Sequence, residues 1–132
     1  MAFIQMLSSL FKSTPSASPA AVAARLRSGD AVLVDVREPN EWSRGVVESA
    51  VLLPLSDLTR QRVHWSPFLA QTAGRELLLY CASGTRSGIA ARLLAGEGFR
   101  VANAGGLSDW SAAGWAITKP SRVRNPNNEG NS

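Results

Sequence analysis

The sequence predicts an α/β fold, a mainly parallel central sheet flanked by helices on both faces. Two observations carry this expectation. Residues 31–36, 51–53 and 77–80 form apolar runs, β-branched or leucine-rich and broken only by Asp35, as strands covered on both faces do. Between and after them lie stretches with helix starts, helical spacing and glycine stops, which implies crossover connections. The chain has 132 residues, 45% hydrophobic and 18% charged, enough for one domain with a buried core and too little for two.

The first segment, with Phe3, Ile4, Met6, Leu7, Leu10 and Phe11, is too short and too interrupted to span a membrane. Phe3, Leu7, Leu10 and Phe11 fall near one helical face, which predicts an amphipathic helix packed on the domain or on a partner. Only Lys12 adds charge, so a membrane-surface role is weaker. The segment lacks the basic region of a secretory signal, although Ser16, Ala17 and Ser18 imitate a cleavage site. A cytoplasmic location is expected, with export as the alternative. Residues 13–18, rich in Ser and Pro, read as a connector, so the expected organisation is segment and linker over 1–17, domain over 18–118, and a polar, disordered tail over 119–132.

Within the domain, Ser18 and Pro19 read as a helix cap and first-turn proline, and Gly29 as the stop. The strand over 31–36 follows, bearing Asp35 and then Arg37 at its far end. The run 51–53 ends at Pro54, before a stretch around Leu55, Leu58 and Val63 that reads as helical. The run 77–80 stops at Cys81. Ile89, Ala90, Leu93 and Leu94 repeat at helical spacing until Gly96 and Gly98. A strand over 99–102, a Gly105–Gly106 turn and a short helix over 107–113 closed by Gly114 complete the pattern.

Composition excludes several functions. The 14 Lys and Arg exceed the 10 Asp and Glu by a net charge of +4, spread without a block, which favours small anions only mildly. Basic residues clustered with aromatics, as nucleic acid binding needs, are absent from the sequence. A single cysteine excludes an internal disulfide and a thiolate metal site, and no cofactor is implied. His64, the only histidine, has no spacing to Cys81 that makes it a base and reads as surface or packing.

Cys81 is the candidate nucleophile. In open α/β sheets ligands bind beyond the carboxyl ends of the strands, and Cys81 ends one. Ala82, Ser83, Gly84, Thr85, Arg86 and Ser87 form a short loop running straight into a helix, so its N–H groups can turn inward together as an anion site that also favours thiolate. Cysteine titrates near pH 8.5, and such surroundings lower it to about 3.5–7.5; Arg86 adds a permanent cation. An inert packing cysteine is the plainer reading of a lone Cys after an apolar strand. It has no need of glycine three residues on, arginine five residues on and a helix start directly after, and all three occur here.

The segment C-A-S-G-T-R, followed by Ser87, resembles the active loop of the rhodanese family, in which four residues separate Cys and Arg. The resemblance extends to V-D-V-R-E-P-N-E-W-S-R-G upstream and G-G-L-S-D-W-S-A-A-G downstream, covering residues 18–118. It implies sulfur transfer: the Cys81 thiolate takes the outer sulfur of a small anion such as thiosulfate, releases sulfite, and passes the persulfide sulfur to cyanide, a thiol or a protein acceptor. Arg86 is expected to hold the loop's shape and bias it positive, with Ser83, Thr85 and Ser87 hydroxyls as further donors. Asp35 and Arg37 are expected at the same sheet edge as the loop, where bracing it is one role, and a purely structural Arg37–Glu41 pair is the preferred reading. Trp42, Trp110 and Trp115 read as core or lid residues, and Trp65 is unplaced.

The chain departs from the family pattern in Gly45-Val46-Val47, Ser49-Ala50 and Ala116, all in the scaffold, and in Ala82, where many members carry a basic residue; weaker affinity for thiosulfate is the expected result. Related phosphatases and arsenate reductases resemble a loop with five intervening residues, so the four found here favour sulfur over phosphoryl transfer. A persulfide relay carrier and a non-catalytic interaction module are the alternative functions.

Overall fold

The structure, a computed structural model, describes residues 15–120. The expectations for residues 1–14 and 121–132 lie outside the described residues. Helix α1 (Pro19–Ser28) starts and stops as expected: the Ser18 hydroxyl accepts from the Ala21 N–H at 3.3 Å, and Gly29 takes φ 86° as its N–H donates to Leu26 O. Strand β1 (Ala31–Asp35) then enters the middle of a sheet completed by β3 (Val51–Leu52), β4 (Glu76–Cys81) and β5 (Val101–Gly106), in the order β3-β1-β4-β5 with every pair parallel.

Side-chain alternation along β4 divides the core into two layers. Leu77, Leu79 and Cys81 face a cluster with Val34, Val36, Leu58, Trp65, Leu69, Ala90, Ala91 and Leu94, beneath α3 (Leu55–Leu58), α4 (Trp65–Gln71) and α5 (Thr85–Gly96). Leu78 and Tyr80 face Val22, Leu33, Val47, Ala102 and Trp110, beneath α1 and α6 (Leu107–Ala112). Helices therefore cover both faces, as the apolar runs required.

Several elements differ from the sequence reading. The fifth strand begins and ends later than 99–102, and the Gly105–Gly106 pair closes it instead of forming a turn. Asn103 and the two glycines are poor strand formers, and tertiary packing overrides that preference. The helical stretch around 55–63 shrinks to α3, which ends before Thr59, and Arg62 turns the chain further on with φ 56°. The Asp57 carboxylate then accepts the N–H groups of Val63, His64 and Trp65 at 2.9–3.0 Å, starting the unexpected α4. A short α2 (Pro39–Trp42) and an antiparallel pair, β2 (Val46–Val47) with β6 (Ile117–Thr118), were also unforeseen.

Residues of the expected connector join the sheet: the Asn103 N–H donates to Pro15 O and the Ala17 N–H to Asn103 O, both at 2.9 Å, along β5. Trp42, Trp65 and Trp110 are buried and Trp115 is partly so. Trp65, unplaced by the sequence, packs edge-on to Phe68 and donates its indole N–H to Pro54 O at 2.9 Å.

Candidate active site

Cys81 is the last residue of β4, its side chain in the α5 layer and only 1% exposed. Between Cys81 and α5 the chain makes one tight loop, closed by Gly84 at φ 95°, a left-handed conformation that side chains disfavour. That turn aims the Gly84 N–H at Cys81 Sγ, 3.0 Å away. Ser87, in the first turn of α5 and fully buried, places its hydroxyl 3.4 Å from the same sulfur. One amide, that of Gly84, and one hydroxyl thus face the sulfur at the N-terminal end of a twelve-residue helix.

The thiol lies below the ordinary cysteine value. Burial is the largest influence and pushes it up; the Ser87 hydroxyl and the N–H groups of Ser87, Ser83 and Gly84 together pull it down further than burial raises it. Thiolate is the form that reacts.

Arg86 has a definite partner. Its guanidinium donates both forks to the Glu41 carboxylate on α2, at 2.6 and 2.8 Å. Glu41 also accepts the Glu38 N–H at 3.1 Å, while the Glu38 carboxylate accepts the Ser56 hydroxyl at 2.6 Å and the Ser56 N–H at 3.2 Å. The Arg86 hydrogen bonds, foremost, hold Glu41 down to about 2 despite its partial burial, and Glu41 raises Arg86 in turn. Arg86 therefore anchors the loop to α2, and the positive bias expected of it is largely matched by a carboxylate.

The structural Arg37–Glu41 pair preferred from the sequence is not formed. Arg37 instead donates to Asp35 at 2.9–3.1 Å and to Gly45 O at 2.6 Å, because the short α2 carries Glu41 across to Arg86. Asp35 is paired in register with Tyr80, and both lie on the sheet face opposite Cys81. Tyr80 OH accepts the Val47 N–H at 2.9 Å; burial, then the Asp35 charge, pushes its hydroxyl well above the ordinary value. Among the described residues, neither Asp35 nor Arg37 hydrogen-bonds to residues 81–87. They tie β1 to the loop before β2 and leave the cysteine loop to Glu41.

The sequence reading missed two contributors. Gly106 packs its bare backbone against the loop, since a Cβ there would lie 2.5 Å from Ala82 O and 3.1 Å from the Ser83 Cα. Asn103 donates its side-chain NH2 to Gly84 O at 2.9 Å and accepts from Ser87 Oγ at 2.7 Å and the Gly105 N–H at 3.1 Å. A glycine pair opposite a cysteine loop was a signal for the first; for Asn103 the sequence carried none.

Ala82, Ser83 and Thr85 form the exposed rim, with the two hydroxyls 3.4 Å apart. His64 sits at the start of α4, with its backbone bonded to Asp57. No group of His, Cys, Asp and Glu suited to a metal occurs among the described residues, and no described helix is long and apolar enough to cross a membrane. The arrangement places a buried sulfur, its titration lowered, against the N–H groups of Ser83, Gly84 and Ser87.

Known proteins resemble this chain in sequence and in fold. The family model for the rhodanese-like domain matches residues 18–113. A Synechocystis protein of uncharacterized function is 40% identical over 98 residues, 72% of this chain and 51% of its own, so the chain spans about half the length of that relative. A sulfurtransferase of Allochromatium vinosum is 36% identical over 93 residues, 69% of this chain and 81% of its own. Among solved structures, a Rhodopseudomonas palustris protein of unknown function, described as a possible tyrosine phosphatase, matches with a TM-score of 0.67 and 30% identity, over 86% of this chain and 91% of its own.

Proposed function

The chain belongs to the rhodanese-like family, and on that footing we propose that it is a sulfurtransferase carrying sulfane sulfur as a persulfide on Cys81, with residues 18–118 as the catalytic domain. The Cys81 thiolate attacks the outer sulfur of thiosulfate or a similar donor. The bond between the donor's two sulfurs breaks, its electron pair leaves with sulfite, and Cys81 holds the outer sulfur as an anionic persulfide. A thiolate or cyanide then attacks that sulfur and the thiolate of Cys81 returns. Splitting one transfer into two displacements gives ping-pong kinetics, and the loop amides stabilise the charge on the bound sulfur.

The observation that carries this reading is the Gly84 N–H at 3.0 Å from a buried sulfur, in a loop with four residues between Cys81 and Arg86. That ring suits one added sulfur better than a tetrahedral phosphoryl group. The name of the Allochromatium relative supports the same class of reaction. A reaction that needs a free thiol also suits the reducing cytoplasm, where we place it.

One observation favours a relay variant, in which a partner protein delivers the sulfur. The exposed loop residues Ala82, Ser83 and Thr85 carry no charge and Arg86 is committed to Glu41, so the rim has little to hold a free dianion.

Mass spectrometry tests the proposal. Incubation with thiosulfate, or with a persulfidated protein donor, adds the mass of one sulfur atom; cyanide removes it, and Cys81→Ser abolishes it. The thiosulfate arm separates enzyme from relay. Absence of loading from every sulfane donor, or Cys81-dependent hydrolysis of aryl phosphates without loading, overturns the proposal.

A further inference from the structure

Asn103 occupies β5 behind the cysteine loop, and the orientation of its amide is dictated by its neighbours. The Gly84 carbonyl can only accept, so the atom 2.9 Å from it is the NH2 group; the Gly105 N–H can only donate, so the atom 3.1 Å from it is the oxygen. The atom 2.7 Å from Ser87 Oγ is that same oxygen, an acceptor. Ser87 has one hydroxyl proton for three acceptors: Asn103 Oδ1 at 2.7 Å, Cys81 Sγ at 3.4 Å and Gly105 O at 3.5 Å. The shortest contact takes the proton and turns the hydroxyl lone pairs toward the sulfur.

We propose that Asn103 is a positioning residue, competing with Cys81 for the single Ser87 proton and thereby setting how readily the thiol ionises. With the thiol neutral, Cys81 S–H donates to Ser87 Oγ and Ser87 O–H donates to Asn103. On ionisation the thiol proton leaves to solvent, and the Ser87 hydroxyl rotates to donate to the sulfur anion. Asn103 Oδ1 keeps the Gly105 N–H, so no buried acceptor is left unpaired. Gly88 gives the amide its room, since a Cβ there would stand 3.2 Å from Asn103 Nδ2.

The titratable groups around Cys81 are accounted for. Arg86 is paired with Glu41, Glu38 is bonded to Ser56, and Asp109 accepts the Gly106 N–H. Arg92 lies exposed beyond Gly88, and Asp35, Arg37 and Tyr80 bond to one another and to the backbone on the opposite face.

The proposal rests on Cys81 as the reactive thiol and is tested without any sulfur donor. Cys81 is the only cysteine, so the pH dependence of iodoacetamide alkylation, checked by ultraviolet thiolate absorbance, reports its ionisation directly. The measurement is made in wild type, Asn103→Ala, Ser87→Ala and the double variant. Loss of the Gly84 tether is common to both Asn103→Ala backgrounds and cancels. With Ser87 present, Asn103→Ala shifts the ionisation constant toward the thiolate by about threefold or more relative to the same change in Ser87→Ala. Ser87→Thr, which keeps the hydroxyl, retains that difference, and Asn103→Leu repeats the cycle if the alanine variant fails to fold. Equal shifts in the two backgrounds, or a difference of the opposite sign, overturn the proposal. Failure of sulfur loading alone bears on the proposed activity and leaves this cycle readable.

Discussion

Two arginine–carboxylate pairs stand at the carboxyl end of the sheet, and they do different jobs. Arg37 and Asp35 are neighbours in sequence and nearly sealed from water, with side chains 6% and 0% exposed. Arg86 and Glu41 come from elements 45 residues apart and remain 33% and 23% exposed. The sealed pair belongs to the scaffold: it anchors β1 to Gly45 on the face away from the cysteine. The half-open pair belongs to the site, binding the end of the cysteine loop to α2. Burial makes the first expensive to break and solvent makes the second cheap, so stability and reactivity should separate between them.

The largest effect tests the sealed pair. Arg37→Met leaves the Asp35 carboxylate buried without its cation, and is expected to lower stability by about 3–5 kcal/mol, read by urea unfolding. The alkylation rate of Cys81 in the remaining folded protein should be unchanged. An equal fall in reactivity per folded molecule would join the two pairs into one unit.

A smaller stability effect, with a larger effect on chemistry, is expected at the half-open pair. Glu41→Gln should cost no more than about 1 kcal/mol, yet release Arg86 and loosen the loop, so that sulfur loading slows while the unfolding midpoint barely moves. A stability loss matching that of Arg37→Met would show that Glu41 is scaffold too.

The smallest effect is the pH dependence of that pair. Glu41 titrates at about 2 in the folded chain against an ordinary 4.5. A depressed carboxylate contributes stability that is fully present above its unfolded value and is lost as pH falls through the folded one. Wild type should therefore lose a modest increment between about pH 4.5 and pH 2 that Glu41→Gln lacks. Parallel acid-unfolding curves for the two proteins would remove the ion pair from the account.

The same contrast shows which parts of the molecule were legible in the sequence. The Asp35–Arg37 bond joins residues two apart on a strand end, and the sequence placed both residues at the right edge of the sheet. It paired Arg37 with Glu41, however, since nothing local announced that α2 would swing Glu41 toward Arg86. The extent of β5 was underestimated for a related reason. Asn103, Gly105 and Gly106 have low strand propensity, and they occupy a strand because a backbone without side chains must lie against Ala82 and Ser83. Helix α4 was missed because its starting N–H groups are satisfied by Asp57, six to eight residues earlier, and not by a cap in place.

By itself the sequence determined the layered parallel sheet, the first helix with its caps, and the position of Cys81 at a strand end before a tight glycine turn. These depend on hydrophobic pattern, capping and spacing, which act between near neighbours. Only the tertiary structure decided what surrounds the sulfur: Glu41 on Arg86, Gly106 beneath Ala82, and Asn103 holding both Gly84 and Ser87. Those contacts join residues that meet only because parallel strands in fixed register carry distant segments to one edge, and no local pattern encodes which of them will arrive.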